Sequence, residues 1–205
     1  MKSYKLTYAA VAILLIVGGA MVYWAYFKDS GGSDFEVVGP APAFELQNLN
    51  GETVTLENTN GKARLFYFFF STCKDVCPPT TFVLSEVQEE LKKEEAFGED
   101  TAIIQITFDP ENDTPERLKE FSSGYGADDS GWYFLTSDDQ AYSQQITNEY
   151  GVAVQKMEDG DYAHTNVYVL VDKEGNIRNY YGIGNNIEDV DPAAIAKDMI
   201  ELANE

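Results

Sequence analysis

The segment that most restricts the fold is the unbroken apolar run Leu65 to Phe70, followed closely by Cys73, Cys77 and the pair Pro78-Pro79. An apolar run with no polar alternation describes a strand buried on both faces, as at the centre of a sheet covered by helices. Such a strand delivers its C-terminal end to a site, and the chain's only two cysteines lie just beyond it. Pro78 and Pro79 suit the first turn of a helix, where a missing N–H and a fixed φ are tolerated. Cys73 therefore belongs to the loop and Cys77 to the helix entry.

Two thiols at a helix N-terminus have a definite chemistry. The uncompensated N–H groups and the helix dipole favour thiolate over thiol, and thiolates serve both soft metals and disulfide exchange. A spacing of four puts both sulfurs on one side of a helical turn, close enough to share a metal or, with loop adjustment, to oxidise. Redox pairs of the thioredoxin kind usually have two intervening residues; the three here favour metal, although spacing alone does not decide. A purely stabilising disulfide would close too small a loop to gain much.

The start of the chain imposes a second constraint. Tyr8 to Phe27 carries no charge and as a helix spans roughly 30 Å, the thickness of a hydrocarbon core. Lys2 and Lys5 precede it and acidic residues begin at Asp29, so the expected topology is single-pass, with the N-terminus cytoplasmic and the domain extracytoplasmic. A cleaved signal peptide is the competing reading, but the run is longer than a signal-peptide core, no convincing A-x-A cleavage site follows, and no cysteine near its end would take a lipid. The expected organisation is an anchor over 1–28, a Gly- and Ser-containing linker over 29–38 and one domain over 39–205.

Beyond the anchor the chain is strongly acidic. Of 14 basic residues three (Lys2, Lys5 and Lys28) flank the apolar run, leaving 11 against 35 acidic ones. That balance excludes nucleic acid and anionic lipid surfaces as partners of the domain. The carboxylates are dispersed along the chain, which favours a solubility role over a docking patch for a basic partner.

The remaining elements follow in order. Phe44 to Leu46 and Thr53 to Leu56 form an N-terminal hairpin about Asn50-Gly51. The helix from Pro78 runs to about Glu95, with Phe82, Leu84, Val87 and Leu91 as its apolar stripe, and Thr101 to Phe108 returns as a parallel strand. In the segment Asp109 to Glu116, Asp113 or Thr114 caps a helix; a calcium loop would need a glycine and a terminal glutamate that are missing. Asp109 is left over from capping, at the strand edge where α/β proteins place sites. Trp132 to Leu135 is a strand, Asp138 to Tyr150 a helix, and Val152 to Gln155 a brief extended piece. A hairpin, Thr165 to Val171 and Ile177 to Tyr181, and a helix from Asp191-Pro192 close the chain. Asn112-Asp-Thr114 matches a glycosylation pattern that arises easily by chance, and Gly182-Ile-Gly184 is turn geometry, not a dinucleotide motif.

His164 is the only histidine, immediately before the last hairpin, where it can reach the Cys73 loop. Two thiolates and one neutral imidazole would suit copper in either oxidation state, whereas a structural zinc site normally takes a fourth protein ligand.

Taken together, Phe-Tyr-Phe-Phe-Phe-Ser-Thr-Cys-Lys-Asp-Val-Cys-Pro, Phe-Asp-Pro-Glu-Asn-Asp-Thr-Pro-Glu, Trp-Tyr-Phe-Leu-Thr and Asp-Tyr-Ala-His-Thr occur in an order that resembles the Sco/SenC family of membrane-anchored copper proteins. The resemblance covers roughly Phe44 to the C-terminus. It implies an α/β, thioredoxin-like fold, copper held by Cys73, Cys77 and His164, and a supporting role for Asp109. It also implies delivery of copper to, or reductive preparation of, the dinuclear copper site of cytochrome c oxidase subunit II. The same sulfurs could instead make the chain an extracytoplasmic thiol-disulfide oxidoreductase using Cys73 and Cys77 as redox residues. A peroxidase is disfavoured, because Phe70 stands where a threonine would be required.

Overall fold

A computed structural model of the chain describes residues 17–18, 35–158, 160–184 and 187–205. The expected membrane anchor falls outside the described residues except at Val17 and Gly18, which are helical. Among the described residues no helix is long and apolar enough to cross a membrane. The segment Asp34–Asn204 is one compact unit.

Its strands are β1 (Gly39–Pro40), β2 (Glu45–Asn48), β3 (Thr53–Thr55), β4 (Ala63–Phe69), β5 (Thr101–Thr107), β6 (Trp132–Thr136), β7 (Val154–Lys156), β8 (Tyr162–His164), β9 (Val167–Val171) and β10 (Asn176–Gly182). Its helices are α1 (Cys77–Lys93), α2 (Pro115–Ser123), α3 (Gln140–Glu149) and α4 (Pro192–Ala203). Eight strands form one mixed sheet in the order β1-β10-β9-β4-β5-β6-β2-β3, and β7 pairs with β8 separately. β4, β5 and β6 run parallel, while β9 is antiparallel to β4. The central strand expected from the apolar run is thus flanked on both sides, and every residue of β4 is buried.

The two faces of β4 meet different partners. Phe66 and Phe68 pack on Tyr150, at the end of α3, with ring centroids 5.0 and 5.1 Å apart. Tyr67 and Phe69 face the other way, against Tyr168 at 5.4 Å and Phe121 at 5.3 Å. Gln105 on this second face donates to Thr81 of α1 at 3.1 Å and accepts from the Trp132 indole at 3.0 Å, so a polar side chain inside the sheet is satisfied at both ends. Arg64, also wholly buried, donates to Leu56 O, Thr59 Oγ1 and Asn60 Oδ1 and to the Asp172 carbonyl. It thereby ties the β3–β4 connection to the β9–β10 turn.

The N-terminal hairpin forms as expected: β2 pairs with β3, Gly51 takes the left-handed conformation at φ 82°, and β2 adds to β6 at the sheet edge. Two expectations are corrected. Phe82 is 56% exposed, because it lies roughly 200° around the helix from Leu84; the buried face of α1 runs instead through Thr80, Thr81, Leu84, Val87, Gln88 and Leu91. Of the two cap candidates named for α2, Thr114 is the cap, accepting from the Arg117 N–H at 3.4 Å, which leaves Asp113 for another task. The strand expected from Thr165 begins at Val167, and His164 sits on β8, opposite Val154 of β7.

Candidate metal centre

The site lies where β4 and β5 end. From β4 the chain turns through Ser71 and Thr72, with the Cys73 N–H bonded to Phe70 O at 3.3 Å. It then enters α1 at Cys77. The residue before the helix, Val76, supplies no side-chain cap, but the Cys77 N–H donates to Cys73 Sγ at 3.4 Å. The Cys73 sulfur therefore takes the place of a capping oxygen, at the positive end of the α1 dipole. His164 comes from β8, with Nε2 4.0 Å from Cys77 Sγ. The structure thus brings Cys73, Cys77 and His164 together from three segments.

The imidazole is oriented by its other nitrogen. Nδ1 is 3.2 Å from the Thr165 carbonyl, which can only accept, so Nδ1 carries the proton and Nε2 presents a lone pair toward the cysteines. The ring is held by Phe108 at 5.2 Å and edge-on by Phe70 at 6.0 Å.

The cysteines, both free, differ from each other. Cys73 is half-buried and Cys77 wholly buried. Hydrogen bonding from Cys77 holds the Cys73 thiol well below the ordinary range, aided by His164 and by the Cys77 and Asp75 amides, against the opposing effect of burial. Cys77 is pushed up, first by its bond to Cys73 and then by burial and by the Cys73 charge. The pair gives up its first proton readily and its second reluctantly. Tyr67, completely buried on β4, has its phenol pKa raised by burial first and by the Cys77 charge second. A consequence is selective chemistry: at pH 6 iodoacetamide should label Cys73 and spare Cys77, although a free thiol, with a pKa of about 8.5, is nearly inert there. Peptide mapping after a short pulse reads this, and equal labelling of both cysteines would contradict it.

Asp109 is 1% exposed. Its carboxylate accepts from the Tyr162 hydroxyl at 3.1 Å and from Asn112 Nδ2 at 2.9 Å. It reaches the site through Tyr162, two residues before His164. Sequence reasoning missed Asp113, which is wholly buried and accepts from the Ser71 N–H at 2.9 Å, from the Ser71 hydroxyl and from Thr107 Oγ1 at 2.5 Å. Its place in a helix-start motif concealed this, since Asp before Thr-Pro reads as a cap.

Among the described residues no three His, Cys, Asp or Glu side chains form a ready-made metal cage. The donors nonetheless suit a soft ion. Bonds from sulfur and imidazole to a first-row metal are about 2.3 and about 2.0 Å, so an ion between atoms 4.0 Å apart reaches both. A thiolate–imidazole set favours copper or zinc over hard cations.

A family model described as SCO1/SenC matches residues 37–201. The chain belongs to the SCO1/SenC family. It is 33% identical over 162 residues to the SCO1 protein homolog of Bacillus subtilis (strain 168), covering 75% of this chain and 82% of that one. Among solved structures it is similar to BsSco, a member of the Sco family of cytochrome c oxidase assembly proteins in which a disulfide switch was identified. That likeness has a TM-score of 0.72 at 28% identity and covers 83% of this chain and 98% of the other. It is similar also to copper-bound ScoI of Bradyrhizobium japonicum, with a TM-score of 0.63 at 30% identity, covering 78% and 99% of the two chains. These likenesses bear out the thioredoxin-like α/β fold expected of a Sco protein.

Proposed function

We propose that this Sco protein binds copper through Cys73, Cys77 and His164 and serves the assembly of cytochrome c oxidase. In this reading it delivers copper to, or reductively prepares, the dinuclear copper site of subunit II. The observation that carries the reading is the convergence of the Cys77 sulfur and the lone-pair nitrogen of His164 at 4.0 Å, beside Cys73 at a helix N-terminus. The copper-bound relative and the oxidase-assembly relative support it. The Tyr8–Phe27 run anchors the domain on the extracytoplasmic face, restricting its search for the oxidase to the membrane plane.

The burial difference gives transfer an order. Cys73 is the donor that an incoming thiolate reaches first, so it exchanges first; Cys77 and His164 hold the ion until a second acceptor ligand arrives. The same asymmetry favours a second role in thiol reduction. The Cys73 thiolate attacks a partner disulfide and releases one partner thiolate; Cys77 then attacks the Cys73 sulfur and releases the other. Two electrons pass from the dithiol to the partner.

One titration separates the roles. The full chain in detergent, reduced anaerobically and titrated with copper(I) and copper(II), should hold one copper per chain and show thiolate-to-copper(II) charge-transfer absorption. Both should be lost in Cys73→Ser and in Cys77→Ser. Absence of stable copper alongside a readily reversible disulfide would overturn the metal reading in favour of the oxidoreductase.

A further inference from the structure

The loop between β5 and α2 holds two buried carboxylates that touch none of the three candidate donors, yet each is bonded to a segment that carries one of them. Asp113 grips Ser71, two residues before Cys73, through both the N–H and the hydroxyl. Asp109 grips Tyr162, two residues before His164 on β8. The two are joined within the loop. The Asp113 N–H donates to Asp109 O at 2.9 Å, and the Thr107 hydroxyl accepts from the Asp109 N–H at 3.0 Å while donating to the Asp113 carboxylate. Gln140 fixes the same layer from α3, donating to Phe108 O at 2.7 Å and to the Tyr162 hydroxyl at 3.3 Å. Arg117 closes the outer side, its Nε 2.9 Å from Ser71 Oγ.

We propose that the Asp109–Asp113 loop is a clasp that sets the distance between the cysteine pair and His164, Asp113 positioning Cys73 and Asp109 positioning His164 through Tyr162. Besides Cys77, which is itself a candidate donor, the loop is what bonds to both approach segments at once. The Cys73 turn is short, and β8 belongs to a two-stranded ribbon outside the main sheet, so neither is held by a ladder on both sides. Buried carboxylates accepting several hydrogen bonds are stiff connectors, because losing any donor leaves charge desolvated and unpaired. The loop thus does for a cysteine and a histidine on separate elements what an outer-shell partner does for a single ligand.

The proposal rests on the ligand set given above, but its test has arms that need no metal. In the full chain, Asp113→Asn weakens the grip on Ser71, and Tyr162→Phe removes only the hydroxyl that Asp109 holds. Asp113→Asn should slow Cys73 alkylation at pH 6 about tenfold, as the sulfur leaves the Cys77 amide that stabilises its thiolate. The resonance of the single histidine, isotope-labelled, should stay in place. Tyr162→Phe should do the reverse, moving that resonance and leaving alkylation unchanged. Each should weaken copper binding about tenfold or more, the effect of losing an outer-shell support. If Asp113→Asn does not fold, Ser71→Ala, which deletes one of the two bonds, carries the same arm. Alkylation and histidine signals unchanged in both variants, or altered alike in both, would overturn the clasp. Wild-type protein that bound no copper would remove the ligand reading, and the two metal-free arms would still decide whether the loop holds the two segments apart.

Discussion

His164→Ala is expected to weaken copper binding by more than about a hundredfold, since removing an outer-shell support alone costs about 10–100-fold and here a donor atom itself is lost. His164 is the chain's only histidine, and the other polar side chains lining the site, Asp75, Asp161, Tyr162 and Asn166 among them, offer oxygen or amide donors that suit a soft ion poorly. The dithiol should survive. Cys73 owes its lowered pKa first to Cys77 and only later to His164, so that pKa should rise somewhat while the pair still oxidises and reduces reversibly. A competition titration against a copper chelator, run beside disulfide equilibration with a dithiol buffer, measures both quantities. Copper affinity within a few fold of wild type would mean that the imidazole is not a ligand. Loss of reversible oxidation would mean that His164 does more for the cysteines than hydrogen bonding.

The sequence revealed the parts of this protein that repeat a local pattern. The central strand was legible because six apolar residues without alternation have no other soluble home, and the helix entry because two prolines followed the cysteines. The N-terminal hairpin and the α4 start were legible from turn and cap chemistry: Gly51 at positive φ, and Asp191 accepting first-turn N–H groups. What escaped was set by contacts distant in sequence. Asp113 has the local signature of a cap, but Ser71, 42 residues away, and Thr107 hold it inward. The extended piece at Val152 to Gln155 overlaps β7, but its partner β8 escaped because a three-residue strand is too short for periodicity to register. The face of α1 was misjudged at Phe82 for a simpler reason, that spacing of two does not share a helical face.

Phe66→Ala should destabilise the domain by about 3–5 kcal/mol, the range for deleting a buried aromatic ring from a core that relaxes only partly. Phe66 is fully buried at the middle of β4, with Phe44 edge-on at 6.0 Å and Tyr150 at 5.0 Å. Around it the backbone is fixed by ladders to β5 and β9, so the strand cannot move in to fill the space. The loss should spread in one direction: the Tyr150 hydroxyl donates to Pro42 O at 3.0 Å, and a Tyr150 ring without its partner would loosen the segment leading into the N-terminal hairpin. The site should be spared, since the candidate donors are approached by Phe70 and Phe108, not by Phe66. Urea unfolding of the full chain in detergent should therefore show a lower midpoint at unchanged slope, and a thermal midpoint lower by on the order of 10 °C, while the folded fraction keeps its copper affinity and Cys73 selectivity. A change under about 1 kcal/mol would mean that Phe44 and Tyr150 close over the gap, and that the aromatic stack on this face of β4 is not what holds the sheet to α3.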